Sequence, residues 1–406
     1  MAEKARSLRD HPVFAALGNL LPERRETRLL QALLRPADSP QKLWDRWAED
    51  VGNPKRFFEN NRTGLKGLLP FVEHSLRKRE IEAGKEFTTY TKVACLREEL
   101  RTKIYFDVFD EVIASLSKSS IHPIGLRACS LSETVYDTPY SRHNHAIDLL
   151  VRSDECAGVA EILSRLAFEP VRSAQTDGSA AVAFQHSTGL PLSLSSTLFD
   201  FPYLRAPMNL IRARLVKTNI SESEVLTLSP ADSLVDILVR AATSRTRSNL
   251  RWACDAWLIL ARQPKLNWEH LREMAGDCYL ALPLARLLTY LGEELDAPLL
   301  ERSIAELLTV TSPEDGAEMK VAQAMLLANA RSHTRVLRLL APDRRRQIEY
   351  IRYALMPPAE FLRWQLGTND SMPLLAQYAY RPIRFLARRL SLSPQPRTSG
   401  TVDLSL

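Results

Sequence analysis

The chain has 406 residues, a net charge of +6, 45% apolar and 25% charged residues, and an isoelectric point of about 9.1. That length buries a sizeable core and predicts two or three domains, and the composition excludes a disordered, collagenous or disulfide-stapled chain. The positive charge is mild and spread along the chain, which suits an anionic ligand such as a nucleotide or phosphosugar and does not indicate nucleic acid.

Residues 1–120 read as an N-terminal helical region. Ser39-Pro40 starts a helix with Leu43, Trp44 and Trp47 on its apolar face, since a proline in the first turn gives up no hydrogen bond there. Leu96, Leu100, Ile104, Val108, Val112 and Leu116 recur every four residues, the pattern of a long amphipathic helix. From 121 to 225 the texture becomes that of a small α/β core. Ile124-Gly125-Leu126 is a short apolar run, followed by a helix through Leu131 and Val135. Ala146–Val151 is a strand, the positions Val159 to Leu166 form a helix, and Val182–Phe184 and Leu190–Leu194 are two strands joined at Ser187-Thr188-Gly189. The region 226–390 returns to helix. Ser229-Pro230-Ala231-Asp232 combines an N-cap, a first-turn proline and an acid at the third position. Leu250–Ala261 forms a buried helix in which Trp252 and Trp257 are core, and a stripe from Leu284 to Leu291 closes on Gly292 as C-cap. Ser312-Pro313-Glu314 starts another helix, and residues 391–406 read as a disordered tail. The fold class is α+β: a small mixed sheet embedded between mainly helical regions.

Cys95, Cys129, Cys156, Cys254 and Cys278 are widely spaced and form no zinc-like pattern, which fits buried thiols in a reducing cytoplasm. The first residues lack the apolar stretch of a signal peptide, and no run is long enough to span a membrane. Arg344-Arg345-Arg346 and the group Arg381, Arg384, Arg388 and Arg389 read as solvated helix faces.

The most informative stretch is Arg142-His143-Asn144-His145-Ala146-Ile147-Asp148. Two acids at i and i+2 on a strand would point the same way and share a metal ion. Here the first position is Ala146, and Asp148 stands alone. Together with Leu43-Trp44-Asp45-Arg46-Trp47, Leu68-Leu69-Pro70, Leu250-Arg251-Trp252-Ala253-Cys254-Asp255 and Tyr380-Arg381-Pro382-Ile383-Arg384, this stretch resembles the uncharacterised nucleotidyltransferase family. That family is part of the DNA polymerase β-like nucleotidyltransferase superfamily, and its members are bacterial proteins often encoded near polysaccharide or peptide-biosynthesis genes. The resemblance runs from about residue 30 to about residue 390.

The resemblance implies a cleft in which carboxylates hold Mg²⁺ against an NTP. This chain departs from that pattern at several positions. The family's Leu-Lys-Gly element falls on Leu126-Arg127-Ala128, its third acid on Ser193-Leu194-Ser195, and a frequent histidine on Arg240. Asp148 is then the residual catalytic acid and a weak metal ligand, and Arg127, Ser130, Arg142 and Asp255 are the candidate nucleotide- or phosphate-binding residues. Beside this stands a structural reading: Asp255 pairs with Arg251 one helical turn away, and His143 and His145 are loop residues at the cleft rim. The functional expectation is a nucleotidyltransferase-family protein with lost or atypical catalysis and a residual nucleotide-binding or regulatory role. The alternatives are an active, Mg²⁺-dependent transferase acting on an unknown acceptor, and a non-catalytic protein partner in a biosynthetic assembly.

Overall fold

The computed structural model describes residues 10–60, 64–171, 181–199, 206–243, 250–310 and 317–328, together with Pro373 and Tyr378. The tail 391–406, the helix start at Ser312-Pro313, the Tyr380–Arg384 segment and the arginine clusters at 344–346 and 381–389 lie outside the described residues.

Among the described residues six α-helices precede the sheet: α1 (Pro12–Ala16), α2 (Arg24–Leu34), α3 (Pro40–Val51), α4 (Pro54–Asn60), α5 (Leu69–Lys78) and α6 (Lys85–Lys118). Local chemistry sets their ends. At α2 the Glu23 backbone N–H donates to Glu26 Oε2 at 2.9 Å, one half of a reciprocal capping box. In α3 the pair Trp44 and Trp47, spaced for one helix face, packs in a tilted arrangement with ring centroids 4.7 Å apart and continues into Phe58 and Phe87.

The sheet contains β1 (Ile124–Gly125), β2 (Ile147–Leu150), β3 (Phe168–Pro170), β4 (Ala181–His186), β5 (Pro191–Ser195), β6 (Val216–Ile220) and β7 (Ser223–Thr227). Helices α7 (Ala128–Thr134), α8 (Cys156–Arg165) and α9 (Met208–Ala213) are interleaved with these strands. Strand order is β3-β4-β5-β2-β1-β7-β6. β2 runs parallel to β5 and β1 parallel to β7, while the remaining neighbours are antiparallel, so the sheet is mixed. The described residues continue with α10 (Pro230–Thr243), α11 (Arg251–Arg262), α12 (Trp268–Asp277), α13 (Ala281–Leu295), α14 (Glu301–Thr309) and α15 (Ala317–Ala328). The fold is α+β, as the sequence predicts.

Strand alternation sorts side chains onto two cores. Ile147, Leu149, Val182, Phe184, Leu192 and Leu194 join Tyr105, Phe109, Val112 and Leu116 of α6 and Val159 and Leu163 of α8. Leu150, Ile124 and Leu126 belong to the second core, shared by helices that come before and after the sheet along the chain. There α2 meets α13: Thr27 Oγ1 lies 3.1 Å from the Tyr290 hydroxyl, Gln31 donates to Glu294, and Arg35 donates to Asp296 at 2.6 Å.

Several expectations are corrected here. The helix behind Leu96–Leu116 exists, yet Leu96, Leu100 and Ile104 are exposed and only Val108, Val112 and Leu116 are buried. A strict four-residue spacing advances about 40° per step on a helix of 3.6 residues per turn, so the stripe winds out of the core. Helix α13 continues past Gly292 to Leu295 and ends on Asp296 in a left-handed conformation (φ 49°). A Cβ at Gly292 would stand 3.5 Å from Leu299, an ordinary contact, so nothing at this position requires a glycine. Trp252 and Trp257 are half-buried at the edge of the core, and Trp257 Nε1–H donates to the Leu295 carbonyl at 3.1 Å. Ser229 behaves as expected: its Oγ accepts from the Asp232 backbone N–H and donates to the Asp232 carboxylate.

Candidate functional site

The side chain of Asp148 projects from the sheet face opposite Ile147 and Leu149, as the period-2 alternation requires. Parallel pairing sets it beside Ser193, and antiparallel pairing sets Ser193 beside Ala183. Ser195 shares that face two residues on. Asp148 is the sole carboxylate of this row, and Ala146, two residues earlier, offers no ligand.

Arg127, at the junction of β1 and α7, folds directly onto Asp148. Its Nε–H donates to Oδ2 at 3.1 Å, and its Nη2 lies 3.1 Å from Oδ1, a bidentate pair. Its Nη1 is 4.0 Å from Oδ2 of Asp236 on α10, whose other carboxylate oxygen accepts from Arg240 Nε at 3.3 Å. Two guanidinium and two carboxylate groups thus alternate from the sheet to α10. Arg240 belongs to this cluster. Asp236 was not anticipated, although its placement four residues before Arg240 on one helix face was the available signal.

The backbone supports the same corner. Arg127 has φ +51° and ψ −105°, a conformation natural to glycine. The strain therefore sits on the arginine. Ala128 is the first residue of helix α7. Ser130 is buried, and its hydroxyl donates to the Arg127 carbonyl at 3.4 Å, bracing the turn. The Leu126 N–H donates to the Asp148 carbonyl at 3.0 Å, which fixes Arg127 relative to β2. Beneath them the Tyr105 hydroxyl contacts Cys129 Sγ at 2.9 Å and donates to the Ala146 carbonyl at 3.3 Å. Burial pushes the Cys129 thiol up to about 11.

The other two predicted site residues meet each other. Arg142 Nε and Nη2 donate to Asp255 of α11 at 2.9 and 2.8 Å, and the Tyr136 hydroxyl donates to the same carboxylate at 2.6 Å. Arg142 is 8% exposed and Asp255 3%. Burial alone would lower the arginine's pKa, but the Asp255 carboxylate more than offsets it and raises it overall. This pair ties the segment before β2 to α11. Arg251 reaches the same segment by donating to the His143 carbonyl at 3.1 Å. His143 Nδ1 lies 2.6 Å from buried Glu98 of α6, whose other oxygen accepts from the Asn144 N–H at 2.9 Å. Glu98 was missed because an acid within a long charged helix reads as solvated. His145 is exposed, with its ring centroid 6.0 Å from that of His143.

The donor set does not fit Mg²⁺. The carboxylate of Asp148 is engaged by a guanidinium, its neighbours Ala146, Ser193 and Ser195 carry no charge, and among the described residues no three His, Cys, Asp or Glu side chains are grouped to hold a metal. No helix among the described residues is long and apolar enough to cross a membrane. None of the curated proteins matches the chain. The model of the family described as uncharacterised nucleotidyltransferase matches residues 65–296, more than half of the chain, from the turn before α5 through the sheet to the end of α13. The chain belongs to the uncharacterised nucleotidyltransferase family.

Proposed function

We propose that this chain is a nucleotidyltransferase-family protein that has given up metal-assisted nucleotidyl transfer and retains a binding role toward a phosphorylated small molecule. The observation that carries this reading is the bidentate Arg127–Asp148 pair. Metal-assisted transfer requires carboxylates that compensate the charge of the cation and fix its geometry. Here the chain supplies its own cation at that acid, and a dication would have to approach a fixed guanidinium. A planar guanidinium accepts phosphate as readily as carboxylate. A phosphate group would therefore exchange with Asp148 for Arg127, and Asp236 and Arg240 would retain their own pairing. The exchange makes binding weak and independent of metal.

The test is calorimetric titration of the four NTPs in Mg²⁺ and in EDTA, together with an assay for pyrophosphate release. Equal binding in both buffers, lost in Arg127→Ala and accompanied by no pyrophosphate, is the expected result. Mg²⁺-dependent binding that disappears in Asp148→Ala, with pyrophosphate released to an acceptor, would establish an active transferase instead. No binding in either buffer would remove the nucleotide from the account and leave a protein partner.

A further inference from the structure

Helix α6 carries an apolar stripe that faces solvent. Val93, Leu96, Leu100 and Ile104 are 42, 60, 64 and 50% exposed, and they make up four of the seven large hydrophobic side chains exposed among the described residues. At about 100° per residue they share one helix face with Lys85, Lys92, Asp107 and Glu111. An aliphatic row of this kind on a long helix marks an interaction surface.

The charges beside the stripe indicate what covers it. Glu86 is taken by Lys55, Glu99 by Lys103, and Asp110 by Ser223. The charges on this face with no ion pair among the described residues then separate by sign. Lys85, Lys92 and the exposed Arg97 lie in the N-terminal half of the stripe, and Asp107 and Glu111 toward the C-terminal end. A parallel copy would set like charges together. An antiparallel copy centred between Leu96 and Leu100 brings Val93 against the partner's Ile104, Lys92 within a turn of the partner's Asp107, and Lys85 beside the partner's Glu111. Residues 85 to 111 span about 40 Å of helix, so a two-fold pair seals the whole stripe and satisfies both charged ends.

We propose that α6 is a self-association surface through which two copies of this chain pair antiparallel across Val93, Leu96, Leu100 and Ile104. The stripe shares no residue with the Arg127–Asp148 corner, although Glu98, Arg101 and Tyr105 of the same helix contact the segment before β2; the self-association test reads oligomeric state and does not depend on what that corner binds. The test is sedimentation velocity on the full-length chain over a range of concentrations. A concentration-dependent dimer is expected, with Leu96→Glu/Leu100→Glu monomeric at unchanged circular dichroism. Lys92→Glu should weaken the dimer at least tenfold, and Lys92→Glu/Asp107→Lys should restore it. A monomer at all concentrations, a dimer indifferent to the double glutamate variant, or a charge reversal without rescue would each overturn the proposal. A monomer that loses stability on the double glutamate substitution would show instead that the chain covers this face itself.

Discussion

Replacing Arg142 with methionine leaves the Asp255 carboxylate almost wholly buried, with the Tyr136 hydroxyl as its remaining partner in the triad. Removing one member of a buried, hydrogen-bonded ion pair costs about 3–5 kcal/mol, because the surviving charge stays desolvated. Asp255→Leu strands the guanidinium and carries a similar cost of about 3–5 kcal/mol. The double variant Arg142→Met/Asp255→Leu strands no charge. It still deprives Tyr136 of its acceptor, so a residual loss of about 1–3 kcal/mol is expected. The two single effects are therefore far from additive, with a coupling of about 3 kcal/mol or more. Urea unfolding followed by circular dichroism reads this cycle directly. Single losses below about 1 kcal/mol that simply add would refute the view that this pair locks the segment before β2 to α11.

Three further outcomes follow from the geometry. The Asp137 carboxyl is held below its usual range by Lys78, against burial, with His74 and Arg262 adding to the effect. Its contribution is therefore complete above the unfolded carboxyl pKa of about 3.9 and fades as the pH drops toward the folded value. Asp137→Asn should cost about 1 kcal/mol at pH 7, discounted for its partial exposure, and the gap to the parent should narrow below about pH 4 in acid-unfolding curves. The five cysteines are thiols, and burial pushes those of Cys95 and Cys129 up to about 11. Labelling by a thiol reagent at pH 8 should be slow in the native protein and reach all five in urea; fast native labelling of Cys129 would contradict the buried floor beneath Asp148. Because Arg127 holds φ +51°, Arg127→Gly should be more stable than Arg127→Ala by about 1 kcal/mol although both remove the ion pair, and equal stability would contradict the strain.

The central strands were legible because β-branched and aliphatic residues alternate there between sharp turns. β2 and β5 lie where the pattern places them, and Asp148 and Ser193 prove to be neighbours. β3, β6 and β7 were not anticipated. Val216–Ile220 and Ser223–Thr227 are short and rich in polar residues, and the turn joining them contains no Asn-Gly or Asp-Gly, using Ser221 at φ +52° instead. Each site residue is visible in the sequence by itself, and its partner is not. Arg142 and Asp255 are 113 positions apart, and nothing in local spacing says that they bind each other rather than a ligand. The same limit applies to Arg127. The sequence shows an arginine near a diminished acid site, whereas only the packing of β1 beside β2 shows that this arginine occupies the acid.

Arg127 engages both oxygens of Asp148, the one carboxylate of its strand row. Manganese titration monitored by electron paramagnetic resonance tests it most directly, since Mn²⁺ substitutes for Mg²⁺ at oxygen sites and its bound and free forms are distinguishable. The account predicts no stoichiometric site in the parent protein, with or without NTP. A one-to-one Mn²⁺ site that vanishes in Asp148→Ala would contradict it.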